Sequence, residues 1–229
     1  MSTKVTLLLH GALATKAQFD PLIPFLQESY ECYRLTFKGH GREGADKPIR
    51  MQYLVDQVVD YLDEQNISKA NIFGYSMGGY AALALAKKHP QRINKIATLG
   101  TILQWNEEIA EKECRLLNPE KMEEKIPAFV QHLDEQHPNG WKKLVNNTRE
   151  MLQQLGQHPL IQEDDWQHIT VPIRLLMGDG DSTADLKWTA EIYKQLPNAQ
   201  LGVLPNTTHP FNTVNKELLA MLLADHFDN

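Results

Sequence analysis

Along the chain, short apolar runs alternate with longer stretches in which apolar residues recur every three or four positions. The first run, Val5-Thr6-Leu7-Leu8-Leu9, lacks clean alternation. That is expected of a central parallel strand covered on both faces. Further strand-like runs lie at residues 32–37, at the stretch ending in Ile72-Phe73, and at 95–100, 171–177 and 200–204. Between them, Phe19, Leu22, Ile23 and Leu26 recur at helical spacing, and Met51, Leu54, Val55, Val58, Val59 and Leu62 mark one face of a longer helix. An Ala-rich helix over 80–88 is stopped by Pro90, and another helix runs from Asp185 to about 196. A terminal helix carries Val214, Leu218, Met221 and Leu222. Such β-α alternation with short connections predicts a doubly wound, mostly parallel sheet.

From about Trp105 to Trp166 this rhythm breaks. The stretch is polar and helical, with apolar stripes at Met122, Ile126, Phe129, Val130 and Leu133, and at Trp141, Leu144, Val145, Thr148, Leu152 and Leu155. Most such stripes simply face a core. As a group they describe a helical insertion that must bury its apolar side against the main domain, and a cap over a pocket is the natural arrangement. The expected division is a core of residues 1–103 and 167–229 with a cap at 104–166.

Composition narrows the class. A chain of 229 residues, 42% hydrophobic and 23% charged, fits one sizeable α/β domain with an insertion. A net charge of −6 without a Lys/Arg stripe argues against nucleic acid as partner. No apolar run approaches a membrane span. Lys4, the 5–9 run and Ala12-Leu13-Ala14 imitate a secretory signal, but the apolar stretch is too short and is closed by His10. Cleavage after Ala14 would also remove the first strand. A cytoplasmic protein is expected, in which the sequon Asn206-Thr207-Thr208 has no glycosylation role. Cys32 and Cys114 form no motif, and Cys32 reads as a small buried hydrophobe in a strand.

The candidate chemistry centres on Gly74-Tyr75-Ser76-Met77-Gly78-Gly79, where a strand gives way to a helix. A serine stands exposed on so sharp a turn only if residues two before and two after it are small. At the helix N-terminus, backbone N–H groups favour developing negative charge. This G-x-S-x-G pattern resembles the nucleophile elbow of the α/β-hydrolases. In that family a base and an orienting acid follow in the order Ser, Asp or Glu, His, on loops after later strands. Here Asp181, in Gly178-Asp179-Gly180-Asp181, and then His209, directly after the last strand, take those places. Asp179 and Asp185 lie near enough to compete for the acid's role. The family spacing from Gly178 favours Asp181, and Asp185 reads better as a helix N-cap.

The resemblance covers essentially the whole chain. His10-Gly11 is similar to the family's His-Gly oxyanion turn, and Gly39-His40-Gly41-Arg42 to its G-H-G-x loop. It implies an oxyanion hole from the Ala12 and Met77 N–H groups, and about six strands, because the usual N-terminal hairpin has no counterpart. His40 is expected to be structural. Gly11, Leu13, Trp105 and Phe211 are the candidates for contact with a small acyl substrate. Cofactors and metals are expected to be absent, since no histidine pair has zinc-protease spacing.

Residues 39–44 also match G-x-G-x-x-G after a strand. That dinucleotide fingerprint must open directly into a helix. Residues 45–48 intervene instead, and Glu43 and Asp46 would face the phosphates. The expected activity is cleavage of a small or medium carboxylic ester through Ser76, His209 and Asp181. Thioester, amide or C–C hydrolysis and acyl transfer share the triad and stay open. So does a non-catalytic, ligand-binding protein on the same fold.

Overall fold

The computed structural model describes residues 4–45 and 47–229, so Asp46 lies outside the described residues. In chain order the elements are β1 (Lys4–Leu9), α1 (Ile23–Leu26), β2 (Tyr30–Leu35), α2 (Met51–Glu64), β3 (Ala70–Tyr75), α3 (Met77–Lys88) and β4 (Ile93–Leu99). They continue with α4 (Glu107–Cys114), α5 (Pro119–Lys125), α6 (Pro127–Gln136), α7 (Trp141–Gln157), β5 (Ile173–Gly178), α8 (Leu186–Gln195), β6 (Ala199–Leu204) and α9 (Lys216–Asp228). The six strands form one sheet in the order β2-β1-β3-β4-β5-β6. Every pairing is parallel, so each connection crosses over through helices on the two faces.

The central strands are buried on both sides. Leu7 and Leu9 of β1 join the apolar layer under α2, α3 and α7, while Leu8 points into the opposite layer under α1 and α9. In β3, Ile72 and Phe73 divide in the same way. With no polar face there is no alternation, which is why these strands read as unbroken apolar runs.

Two helices depart from the expected pattern. Residues 19–26 do not form one helix: a 3-10 turn, Lys16–Phe19, precedes the single turn of α1. Pro21 lacks the N–H that a continuous helix would require. Phe19, Leu22 and Leu26 are nevertheless fully buried. The terminal helix buries Leu219, Ala220, Leu223 and Phe227, whereas Met221 is 64% exposed. Asn215 caps it by accepting from the Leu218 N–H, so Val214 precedes the helix. Residues 218–224 are apolar without a break, and periodicity could not choose a face there.

The smaller differences have simple causes. Helix α3 begins at Met77 rather than at residue 80, because the chain turns into helix directly after Ser76. Cys32 is only half-buried, since β2 is an edge strand, and it is free, as is Cys114.

Helices α4 to α7 fill the connection between β4 and β5. Helix α7 buries Trp141, Leu144, Val145, Thr148, Leu152 and Leu155, the expected stripe. It packs on α4 so closely that a Cβ on Gly156 would lie 2.5 Å from that of Ala110. In the stripe around α6, Met122 and Leu133 are buried, but Ile126 and Phe129 are 45% and 42% exposed. Among the described residues, no helix is long and apolar enough to cross a membrane.

Candidate active site

Strand β3 ends at Tyr75, and the next residue, Ser76, adopts φ 51° and ψ −116° before α3 begins. A side chain at positive φ is strained, at a cost of about 1–3 kcal/mol, so the surroundings must hold it there. The Ser76 N–H donates to Leu99 O at 2.9 Å, and Thr101 Oγ1 donates to Ser76 O at 3.1 Å. Both flanking glycines are sterically required. A Cβ on Gly74 would come 2.5 Å from Gly78 O, and one on Gly78 would come 2.1 Å from Leu9 O.

His209 reaches this serine from the loop after β6, with its Nε2 3.3 Å from Ser76 Oγ. Its Nδ1 lies 2.9 Å from Oδ2 and 3.1 Å from Oδ1 of Asp181, on the loop after β5. The Asp181 carboxylate also accepts from the N–H groups of Thr183 at 2.8 Å and Ala184 at 2.9 Å. Burial pushes its pKa up, but the hydrogen bond and charge of His209 and these two N–H groups outweigh that and lower it overall. An ionised Asp181 makes Nδ1 the protonated nitrogen and leaves Nε2 free to accept from Ser76.

The neighbouring aspartates have other tasks. Asp179 accepts from the N–H groups of Asn206 and Thr207, each at 3.0 Å, and so holds the loop that carries His209. Asp185 caps α8 by accepting from the Trp188 N–H.

Sequence reading missed two residues at this centre. The Tyr75 hydroxyl donates to His209 O, and its ring lies 5.6 Å from the imidazole. Gly100, at φ 62°, sits against the pair: a Cβ there would come 3.0 Å from Asp181 Oδ2. Both contacts join residues far apart in sequence, and no local pattern announces them.

The oxyanion turn is tied down from below. His10 is fully buried; its Nε2 accepts from the Phe37 N–H at 3.1 Å, and its Nδ1 donates to Gly11 O at 2.7 Å. His137, just past α6, accepts at Nδ1 from the Gly41 N–H at 2.7 Å and donates from Nε2 to Leu13 O at 3.0 Å. His40 is fully buried against both, its ring 5.0 Å from that of His10 and 6.3 Å from that of His137. Burial lowers the pKa of all three, that of His10 to about 4. Neutral imidazoles therefore stitch the loops after β1 and β2 to the insertion. His137 was also illegible in the sequence, where it is one lone histidine among nine.

Above Ser76 lies a mostly apolar cavity of about 880 Å³ between the strand ends and the insertion. Ala12, Leu13, Met77, Trp105 and Phe211 line it together with Ser76 and His209. Gly11 does not; it packs beneath, where a Cβ would meet the Tyr75 ring at 2.8 Å. The Ala12 N–H makes no hydrogen bond among the described residues. Met77 opens α3, where an N–H has no partner inside the helix. Ile126 and Phe129 are exposed because they line this cavity rather than the core. Among the described residues no group of three or more His, Cys, Asp or Glu is placed to hold a metal ion.

Comparison with known proteins agrees with this fold. A family model described as alpha/beta hydrolase fold matches residues 4–138. The pimeloyl-[acyl-carrier protein] methyl ester esterase of Neisseria meningitidis serogroup C is 23% identical, over 98% of this chain and 93% of its own length. An (E)-2-((N-methylformamido)methylene)succinate hydrolase of Acinetobacter baylyi is 20% identical, over 92% of this chain and 85% of its own. Among solved structures, the enol-lactonase from Burkholderia xenovorans superposes with a TM-score of 0.80 at 19% identity, covering 100% of this chain and 93% of that one.

Proposed function

The chain belongs to the alpha/beta hydrolase fold family, and from that premise we propose that it is a serine hydrolase cleaving small or medium carboxylic esters. The observation that carries the reading is the hydrogen-bonded line Ser76–His209–Asp181 at the floor of the cavity. His209 Nε2 takes the proton from Ser76 Oγ as that oxygen attacks the ester carbonyl. The N–H groups of Ala12 and Met77 receive the oxyanion, and the N-terminus of α3 favours its charge. His209 then gives its proton to the departing alkoxide, which leaves as the alcohol. Water, deprotonated by the same imidazole, releases the acid and restores the serine.

In this reading residues 104–166 act as a cap that bounds the acyl site, and residues 1–103 and 167–229 form the catalytic core. Leu13, Trp105 and Phe211 contact the substrate, and Gly11 serves by keeping the turn close to Ser76. An ester is preferred over the other bonds open to this triad because the Neisseria relative, similar along nearly its whole length, is named a methyl ester esterase. A cytoplasmic setting belongs to this reading, in which residues 5–9 serve as β1 between β2 and β3 rather than as a signal.

A fluorophosphonate probe tests the reading directly. The protein should gain one adduct, located on Ser76 by peptide mass mapping, and Ser76→Ala should gain none. A folded protein that takes no label would favour the ligand-binding alternative.

A further inference from the structure

Lys216 opens α9, and its side chain lines the cavity beside the loop that carries His209. Its ammonium donates to Phe211 O at 2.6 Å and Val214 O at 2.7 Å, and lies 4.6 Å from the centre of the Phe211 ring. Two of its three protons are thus engaged by carbonyls, leaving one. It makes no ion pair among the described residues, and burial alone accounts for the lowering of its pKa. A half-buried ammonium without a counter-charge is costly, and an anion brought into the cavity would relieve that cost.

The opposite sign lines the same cavity from a different element. Glu113 of α4 also lines the cavity, and its charge acts on Asp181 and His209 rather than on Lys216. Glu113 therefore disfavours an anion beside the Asp181–His209 pair, whereas the Lys216 ammonium favours one where it lines the cavity. We propose that the substrate is an ester whose acyl chain ends in a carboxylate, and that Lys216 is the site which receives that carboxylate. One free N–H and one positive charge in an apolar surround suit a monoanion. A phosphate dianion would leave a negative charge buried without compensation. The proposal rests on the hydrolase reading for the place of the scissile carbonyl, and on the Lys216 geometry for the rest.

The test compares two aryl esters of equal chain length, the aryl half-ester of octanedioic acid and the aryl octanoate. The readout is the ratio of their kcat/KM values, in which any general loss from a loosened His209 loop cancels. The ratio should favour the carboxylate-tipped ester by about tenfold at low salt, as expected for one charge-assisted contact, and should shrink as salt is added. It should fall to one or below in Lys216→Met and largely persist in Lys216→Arg. A wild-type ratio at or below one, or a ratio unchanged in Lys216→Met, overturns the proposal.

A turnover-free arm uses monomethyl octanedioate titrated into Ser76→Ala protein by calorimetry, with and without Lys216→Met. Binding weakened about tenfold by the second change supports the site even if no ester is cleaved, and equal binding refutes it. Failure of the hydrolase reading shows up separately, as absence of fluorophosphonate label and of turnover on both aryl esters.

Discussion

Ser76 occupies a backbone conformation that no folding requirement of its own explains. Its replacement should therefore divide activity from stability. Ser76→Ala should lose on the order of 10⁶-fold in kcat on an activated ester. Its urea midpoint should hold or rise, because strained functional positions are commonly stabilised by losing their function. A mutant keeping a tenth of the activity would end the serine mechanism. Three aspartates stand within seven residues, and in the sequence only family spacing and a helix-cap reading of Asp185 separated them; in the structure each has its own partner. Asp181→Asn should lose on the order of 10⁴-fold in kcat, because the amide favours the wrong imidazole tautomer. Asp185→Asn should be nearly silent, since asparagine caps a helix as well as aspartate does. Asp179→Asn should lie between, through loosening of the 206–207 loop. If Asp185→Asn is the crippling change, the acid has been misassigned. Tyr75, Gly100 and His137 were illegible at this scale because their partners lie far along the chain, and only the fold brings them together.

At the level of elements, the central strands were legible for a physical reason: burial on both faces leaves an apolar run that glycine and proline punctuate. The buried face of a helix was legible only where the other face stays polar. Helix α2 met that condition and α9 did not. The elbow was legible because its sterics are local, and those sterics are open to measurement. Gly78→Ala places a Cβ 2.1 Å from Leu9 O, a backbone atom that cannot swing away. It should destabilise by more than about 3 kcal/mol or prevent folding, as severe overpacking does. Gly44→Ala, with nothing within 4 Å of the new Cβ, should stay within about 0.5 kcal/mol of wild type. Similar urea midpoints for the two would refute the steric account of the elbow. Most stripes of this kind face a core, but in the one around α6 Ile126 and Phe129 line the cavity, as a cap over a pocket would have them. Phe129→Ala should accordingly flatten the rise in kcat/KM from acetate to hexanoate aryl esters. Each buried methylene is worth about 0.8 kcal/mol while that wall is intact. An unchanged chain-length profile would leave Phe129 with no part in the acyl site.

For the whole molecule, the insertion and the core depend on histidines that must stay neutral. His10 Nε2 and His137 Nδ1 each accept a backbone N–H, which a protonated ring nitrogen cannot do. At the opposite end of the sheet, His226 is within 2.9 Å of Ile96 O through Nε2, and burial lowers its pKa to about 4, as it does for His10. The sign of the pH effect follows from linkage. These pKa values are lower in the folded protein than the ordinary 6.5, so below pH 6.5 the unfolded chain binds protons that the folded chain refuses. Stability should then fall as pH drops from about 6.5 to about 4, by up to about 1.4 kcal/mol per unit for each such histidine. Asp181 acts in a separate window. Its folded pKa is lowered from 3.8, so its contribution is complete above that value and is lost only in stronger acid. Urea unfolding at half-unit steps from pH 7.5 to 4.5 should show the midpoint level at first and then falling steadily below 6.5. His226→Gln, which keeps a donor for Ile96 O and removes one titrating group, should make the fall shallower. A midpoint that is flat to pH 4.5 in the wild type would mean that these rings accept protons without loss of structure, and that neutral histidines do not hold the loops together.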